Sequence, residues 1–394
     1  MRGYRTYKTF GRIHQVAYPA VLALLILAAG CVREFVPPVA QSPQFLVVEG
    51  LITDRNEADT IKLSLSTAMG KKTEATPLSG CIVTVSDDLG QIFSLYEAKA
   101  GAYVTDPATF TGAVGRSYTL HISRPFGMTV RNYESLPSEM MPVPPIDSLY
   151  YQKTLIQEET KNDPRIEGCM IYVDTKDPEN KCRFYRWDFT ETWLHRILWP
   201  VDNSICWITN VSNRINIKTT DAIYESSISK HQVTYITNET DRLQWRYSIL
   251  VNQYSINQDE FNFWEKMKKL TEQNGGLYDI IPSSVESNIQ CISYPEERVL
   301  GYFCVSAKAT RRIYIKDSFA GIIDRYKNCA DSTAHTDDIS SIPFYGIKYW
   351  ALLIHHGSFA DPPWMILTRT RGCADCTVRG SNIKPDFWIY DESY

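Results

Sequence analysis

The chain has 394 residues, with 41 Lys and Arg against 45 Asp and Glu and a net charge of −4. That balance, with basic doublets such as Lys268-Lys269 and Arg311-Arg312 standing isolated, argues against a nucleic-acid partner. Aromatic residues make up 12% of the chain, enough to furnish large buried cores.

At the start, Arg2, Arg5, Lys8 and Arg12 precede an apolar run from Val16 to Ala29, and no acidic residue occurs before Cys31. A basic flank, an apolar centre and small residues before a cut compose a secretory signal. The apolar run has 14 residues, whereas a helix that spans a bilayer needs roughly 20. Residues 1–30 are therefore expected to be a lipoprotein signal peptide. Cys31, directly after Ala28-Ala29-Gly30, is the expected acylation site. Several acyl chains, each methylene worth about 0.8 kcal/mol when buried, would hold the protein on a bilayer. Cleavage would leave 364 residues with 37 basic against 45 acidic side chains, a net charge of about −8. That length suits two or three domains.

Residues 31–44, with Pro37, Pro38 and Pro43, read as a tether. From Phe45 short strands alternate with turns. Leu46 to Ile52 comes first, then Ile61 to Leu65, and Cys81 to Val85 and Gln91 to Leu95 form a hairpin around Asp87-Asp88-Leu89-Gly90. Gly101 to Val104, Ser117 to Ile122 and Met128 to Val130 follow. Strands at this spacing over residues 45–136 predict an immunoglobulin-like β-sandwich. Residues 137–146, with Pro137, Pro142, Pro144 and Pro145, read as a linker between domains.

Residues 147–394 predict a larger β-rich second domain. Strands are expected at Glu167 to Val173, Arg183 to Thr190, Gln232 to Tyr235, Tyr247 to Gln253, Val299 to Val305, Arg312 to Ile315 and Trp350 to Ile354. One prominent helix is expected near 258–273, capped by Asn257 with Glu260 as the reciprocal partner of a capping box. Its apolar face runs through Phe261, Trp264, Met267 and Leu270, and Gly275-Gly276 ends it.

Nine cysteines follow Cys31, so at least one thiol is free or pairs outside the chain. Cys373 and Cys376 have the spacing of a redox pair or half a zinc site. With no second pair at that spacing, and in a polar tail, they read as structural disulfides to distant cysteines. Cys206, Cys291 and Cys329 are the candidate partners. Cys169 and Cys182 bracket the polar turn from Asp174 to Asn180 and would bridge if that turn joined a hairpin.

Several segments look familiar together: Val47-Val48-Glu49-Gly50-Leu51-Ile52-Thr53-Asp54, Pro144-Pro145-Ile146-Asp147-Ser148-Leu149, Tyr185 to Trp193, Arg246 to Gln253, Val299-Leu300-Gly301-Tyr302-Phe303, and Cys373-Ala374-Asp375-Cys376 with Lys384-Pro385-Asp386-Phe387-Trp388. In that order they resemble a family of Bacteroidota outer-membrane lipoproteins labelled only as a domain of unknown function. The resemblance implies genes beside TonB-dependent receptors, and hence a role at such a β-barrel transporter on the outside of the cell. It carries no catalytic residue.

The candidates for other chemistry are weaker. His355-His356 are adjacent on an expected strand, so their side chains point to opposite faces and do not share a metal. His121, His195, His231 and His335 lack helical metal spacing. Asp174, Asp177, Glu179 and Asn180 offer oxygen ligands but not an EF-hand pattern. No Gly-x-Ser-x-Gly elbow, His-Glu-x-x-His pair or phosphate-cradling loop occurs. The expected function is therefore an accessory or binding subunit of a TonB-dependent transporter, without cofactor and not an enzyme. It would be held in the outer-membrane bilayer through acylated Cys31 and would act in nutrient uptake. The alternatives are a structural or adhesive surface protein and, behind it, a surface hydrolase.

Overall fold

The computed structural model describes residues 44–66, 75–161, 163–197, 201–272, 285–323, 332–335, 349–353, 364–368 and 370–391. The expected signal peptide, Cys31, Cys329 and His355-His356 lie outside them, as does the tether apart from Gln44. The described chain is mainly β. None of its helices is long and apolar enough to cross a membrane.

The first part holds β1 (Leu46–Thr53), β2 (Thr60–Leu65), β3 (Thr76–Pro77), β4 (Ile82–Asp87), β5 (Ile92–Lys99), β6 (Ala102–Val104), β7 (Ser117–Phe126), β8 (Thr129–Ser135) and β9 (Ser138–Glu139). Next come β10 (Ile146–Gln157), β11 (Ile166–Asp177), β12 (Phe184–Arg196), β13 (Ile205–Val211), β14 (Asn216–Thr219), β15 (Ser226–Ile236) and β16 (Tyr247–Ile256). Helix α1 (Gln258–Glu272) follows, then β17 (Ile289–Cys291), β18 (Val299–Ser306) and β19 (Lys308–Ile315). The last strands are β20 (Ser332–His335), β21 (Tyr349–Leu353) and β22 (Trp364–Thr368), a three-stranded sheet in the order β20-β22-β21.

The strands of residues 45–136 do not complete their sheet alone. The main path runs β17-β8-β7-β4-β5-β6-β2-β1-β18, so both end strands come from beyond α1. β18 lies parallel to β1, with Leu46 opposite Val299 and Thr53 opposite Ser306. The two ends of the path meet at Asn288, whose side chain donates to the Phe303 carbonyl (2.8 Å) and accepts from the Phe303 N–H (2.9 Å). The result is a nearly closed, barrel-like sheet. Alternation fills it: Leu46, Val48 and Ile52 of β1 and Phe303 and Val305 of β18 point into the shared core. Burying each such side chain contributes about 1.5–3 kcal/mol.

Gly301 permits this pairing. Its φ is +87°, and a Cβ there would sit 2.0 Å from the Val48 carbonyl oxygen, so only glycine fits.

In the second part, the three-stranded sheet β10-β11-β15 and the sheet β13-β12-β16-β19, with β14 on β12, share one core. Tyr185 and Trp187 of β12, Ile249 and Val251 of β16, and Ile171 and Val173 of β11 meet in it. A buried polar chain joins the Pro-rich segment to that core. Trp187 donates to Gln253 (2.9 Å), and Gln253 donates to the Pro144 carbonyl (2.9 Å) and to Thr175 (3.0 Å).

Candidate functional site

The second face of β12 sets up the site. Tyr185 and Trp187 enter the core, so Phe184, Arg186 and Asp188 emerge on the opposite side. There they meet α1: the Phe184 and Phe261 rings lie 5.3 Å apart. The same helix packs Phe263, Trp264 and Met267 against Leu51 of β1 and Tyr302 and Cys304 of β18, the residues that alternate out of the first core. Helix α1 is therefore a wedge between the two β parts, and a cavity of about 820 Å³ opens beside it.

Asn257 caps this helix by accepting the Glu260 N–H at 2.8 Å. The reciprocal half of the expected capping box is not made. The Glu260 side chain turns inward and is fully buried, where it accepts from Trp264 Nε1 at 3.0 Å. Burial pushes the Glu260 carboxyl up, against the pull of Arg186. Cys304 faces it, and burial with the Glu260 charge holds that thiol well above the ordinary range.

Arg186 lines the cavity with its guanidinium 4.5 Å from the centre of the Tyr254 ring and 5.0 Å from that of Trp264. Its buried Nε has no hydrogen-bond partner. Burial opposes its charge, but the facing Cys304, Glu260 and Asp188 more than offset that and raise its pKa. Cys304 is a neutral thiol near pH 7, so the charge facing Arg186 comes from the carboxyls of Glu260 and Asp188, that of Glu260 opposed by its burial. Asp188 accepts from Asn252 at 2.6 Å. Leu51, Phe263, Met267 and Tyr302 give the space an apolar wall, and Glu57, Asp59, Lys62, Arg214 and Lys308 a charged one; its size is that of small-molecule sites.

The family model for a domain of unknown function, DUF4249, matches residues 32–312. The chain belongs to this family. No curated protein matches it. The DUF4249 match spans all the cavity residues named above and ends before the C-terminal tail.

The cysteines match the expectation for the tail and depart from it elsewhere. Cys206 and Cys376 are bonded, with Cα atoms 5.7 Å apart, which pins the tail to β13. Cys373 is also disulfide-bonded. Cys169, Cys182 and Cys291 are free and buried, correcting the bridges considered for them. The reason is topological: β11 pairs with β10 and β15, and β12 with β13, β14 and β16, so the turn between Cys169 and Cys182 crosses between sheets. Burial pushes both thiols up to about 12.

The oxygens of that turn serve the backbone. Asp177 accepts from the Glu179 and Cys182 N–H groups, Asp174 from Lys230, and Asn180 from Ser226. Among the described residues no group of three or more His, Cys, Asp or Glu could hold a metal ion.

Two further constellations were not anticipated. His195 Nδ1 lies 2.7 Å from Asp241, and Arg379 of the tail donates to the same carboxylate at 2.9 Å. Burial alone would raise the Asp241 pKa, but the hydrogen bonds from His195 and Arg379 hold it far below the carboxylate range. With His195 only 1% exposed, this cluster fastens the tail. On the surface, Ser86 Oγ lies 2.8 Å from His121 Nε2, and His121 Nδ1 lies 3.4 Å from Glu134. This row resembles a nucleophile relay, yet it lies on the outer face of β4, β7 and β8, outside the cavity. β4 pairs with β5 on one side and β7 on the other, so the ladder occupies the N–H groups that an oxyanion pocket needs.

Proposed function

We propose that this protein is a lipid-tethered accessory or binding subunit of a TonB-dependent outer-membrane transporter, acting in nutrient uptake. The observation that carries the binding part is the cavity of about 820 Å³ between α1 and the two β parts, with an arginine in its wall. The tether part rests on the signal-like residues 1–30 and Cys31, and the transporter part on the family resemblance. In this reading the acyl chains concentrate the protein at the membrane, and the β framework presents the cavity to cargo beside a β-barrel receptor. We further read the first sheet as immunoglobulin-like, supported by β5, whose first half pairs with β4 and second half with β6. Crosslinking in intact cells followed by purification in mild detergent is expected to bring down a β-barrel receptor. Repeated recovery of the crosslinked protein without one contradicts the transporter assignment.

A further inference from the structure

We propose that the cavity beside α1 takes a small amphipathic oxyanion, an apolar body bearing one carboxylate-type head, and that the head sits on Arg186. The assignment rests on the reading of the protein as a binding subunit and gives that reading a ligand class.

A guanidinium is charged at every physiological pH and carries five donors in a planar fork that matches the two oxygens of a carboxylate. In this protein the Arg186 guanidinium lies 4.5 Å from the centre of the Tyr254 ring and 5.0 Å from that of Trp264, contacts that favour its charge. It lines the cavity, and its Nε is buried without a partner. The groups that face it make no hydrogen bond to it, and of the Glu260 carboxyl only one oxygen has a partner. On β12, Asp188 accepts from Asn252. On α1, Glu260 accepts from Trp264. Cys304 of β18 and Tyr254 of β16 both have pKa values raised by burial. Asp188 and Glu260 thus balance the charge of Arg186 through space and leave its outer N–H groups to whatever enters the cavity. A direct, bidentate contact is what they do not supply and an oxyanion does.

The wall around Arg186 is mixed. Leu51, Phe263, Met267, Val285 and Tyr302 give an apolar part, which favours an apolar body over a bare inorganic anion, while Glu57, Asp59, Lys62, Arg214 and Lys308 line the polar part. Glu260 is fully buried beside Arg186 and is not part of the cavity wall; its carboxyl shares the attraction of Arg186, so removing it frees that attraction for the head.

The probe pair is decanoate and decanol, alike in chain and different in head, titrated calorimetrically into the full chain carrying Cys31→Ser. Decanoate is expected to bind about tenfold or more tighter than decanol. Arg186→Gln abolishes that preference, and Glu260→Gln strengthens decanoate binding. Equal binding of the two probes by the parent chain, binding of neither, a preference that survives Arg186→Gln, or weaker decanoate binding in Glu260→Gln each overturns the proposal. The parent-chain comparison needs no cavity variant to fold. Failure of the decanoate preference leaves capture of a receptor intact, and failure to capture a receptor leaves the decanoate preference intact, so the two readings are tested separately.

Discussion

A buried and a half-buried titratable side chain pull the stability of this fold in opposite directions with pH. Burial raises the Asp59 carboxyl to about 6, although Thr53 donates to it through N–H (2.8 Å) and hydroxyl (3.1 Å). Between pH 4 and 6 the unfolded chain ionises this group before the folded one does, so its contribution to stability falls as pH rises. Burial lowers His231 to about 4, aided by Lys218 and Lys268, while its ring packs 4.4 Å from that of Trp187. The unfolded chain protonates this imidazole first, so its contribution falls as pH drops from about 6.5 toward 4. Asp59→Asn is therefore expected to make the slope of stability against pH more positive over this window, and His231→Gln to make it less positive. Chemical denaturation at several pH values measures both, and identical pH slopes in the variants and the parent contradict the assignment. Neither residue was singled out for this from sequence, because burial at a given position is a property of the assembled sheets. The same holds for Arg186. In Tyr185-Arg186-Trp187-Asp188 the alternation reads as a half-buried strand with a solvated face, but that face meets α1 and the first β part.

At the scale of elements, period and capping were legible. The expected strands from Leu46 to Val305 appear within a few residues of their places, because they are short runs, alternating or continuously apolar, bounded by turn chemistry. Pairing was not. β1 and β18 lie about 250 residues apart in sequence, and nothing local in Val299 to Ser306 names Leu46 to Thr53 as its partner. The turn at Asp174 to Asn180 was readable as a turn, but not as a crossing between sheets. For α1, Asn257 was recognised as the cap, and the fate of Glu260 was not, since a buried ring nitrogen outcompeted the local backbone for its carboxylate. Asn257 also donates to Ser138 at 3.1 Å, tying the helix start to the segment after β8. Asn257→Ala is expected to destabilise the protein by about 1 kcal/mol, measured by urea denaturation. An unchanged midpoint and slope would show that the cap is dispensable.

At the scale of the whole molecule, long-range devices hold the chain together. The Cys206–Cys376 disulfide closes a separation of 170 residues, and the Arg379–Asp241–His195 cluster fixes the tail beside it. Asn288 joins the ends of the first sheet, and Gln253 fastens the Pro-rich segment to the second core. These leave α1 and its cavity in a framework braced on both sides, suited to holding a ligand at a set position. In the proposed function, tethering such a framework to a bilayer would turn binding into delivery, and the tether would depend on one atom, the sulfur of Cys31. The direct measurement is the partition of parent protein and Cys31→Ser between membrane and soluble fractions of the cells that make them. The parent is expected in the membrane fraction and the folded variant in the soluble one. A folded variant that still sediments wholly with the membranes would contradict the lipid tether, and with it the placement of this protein as a transporter's binding subunit.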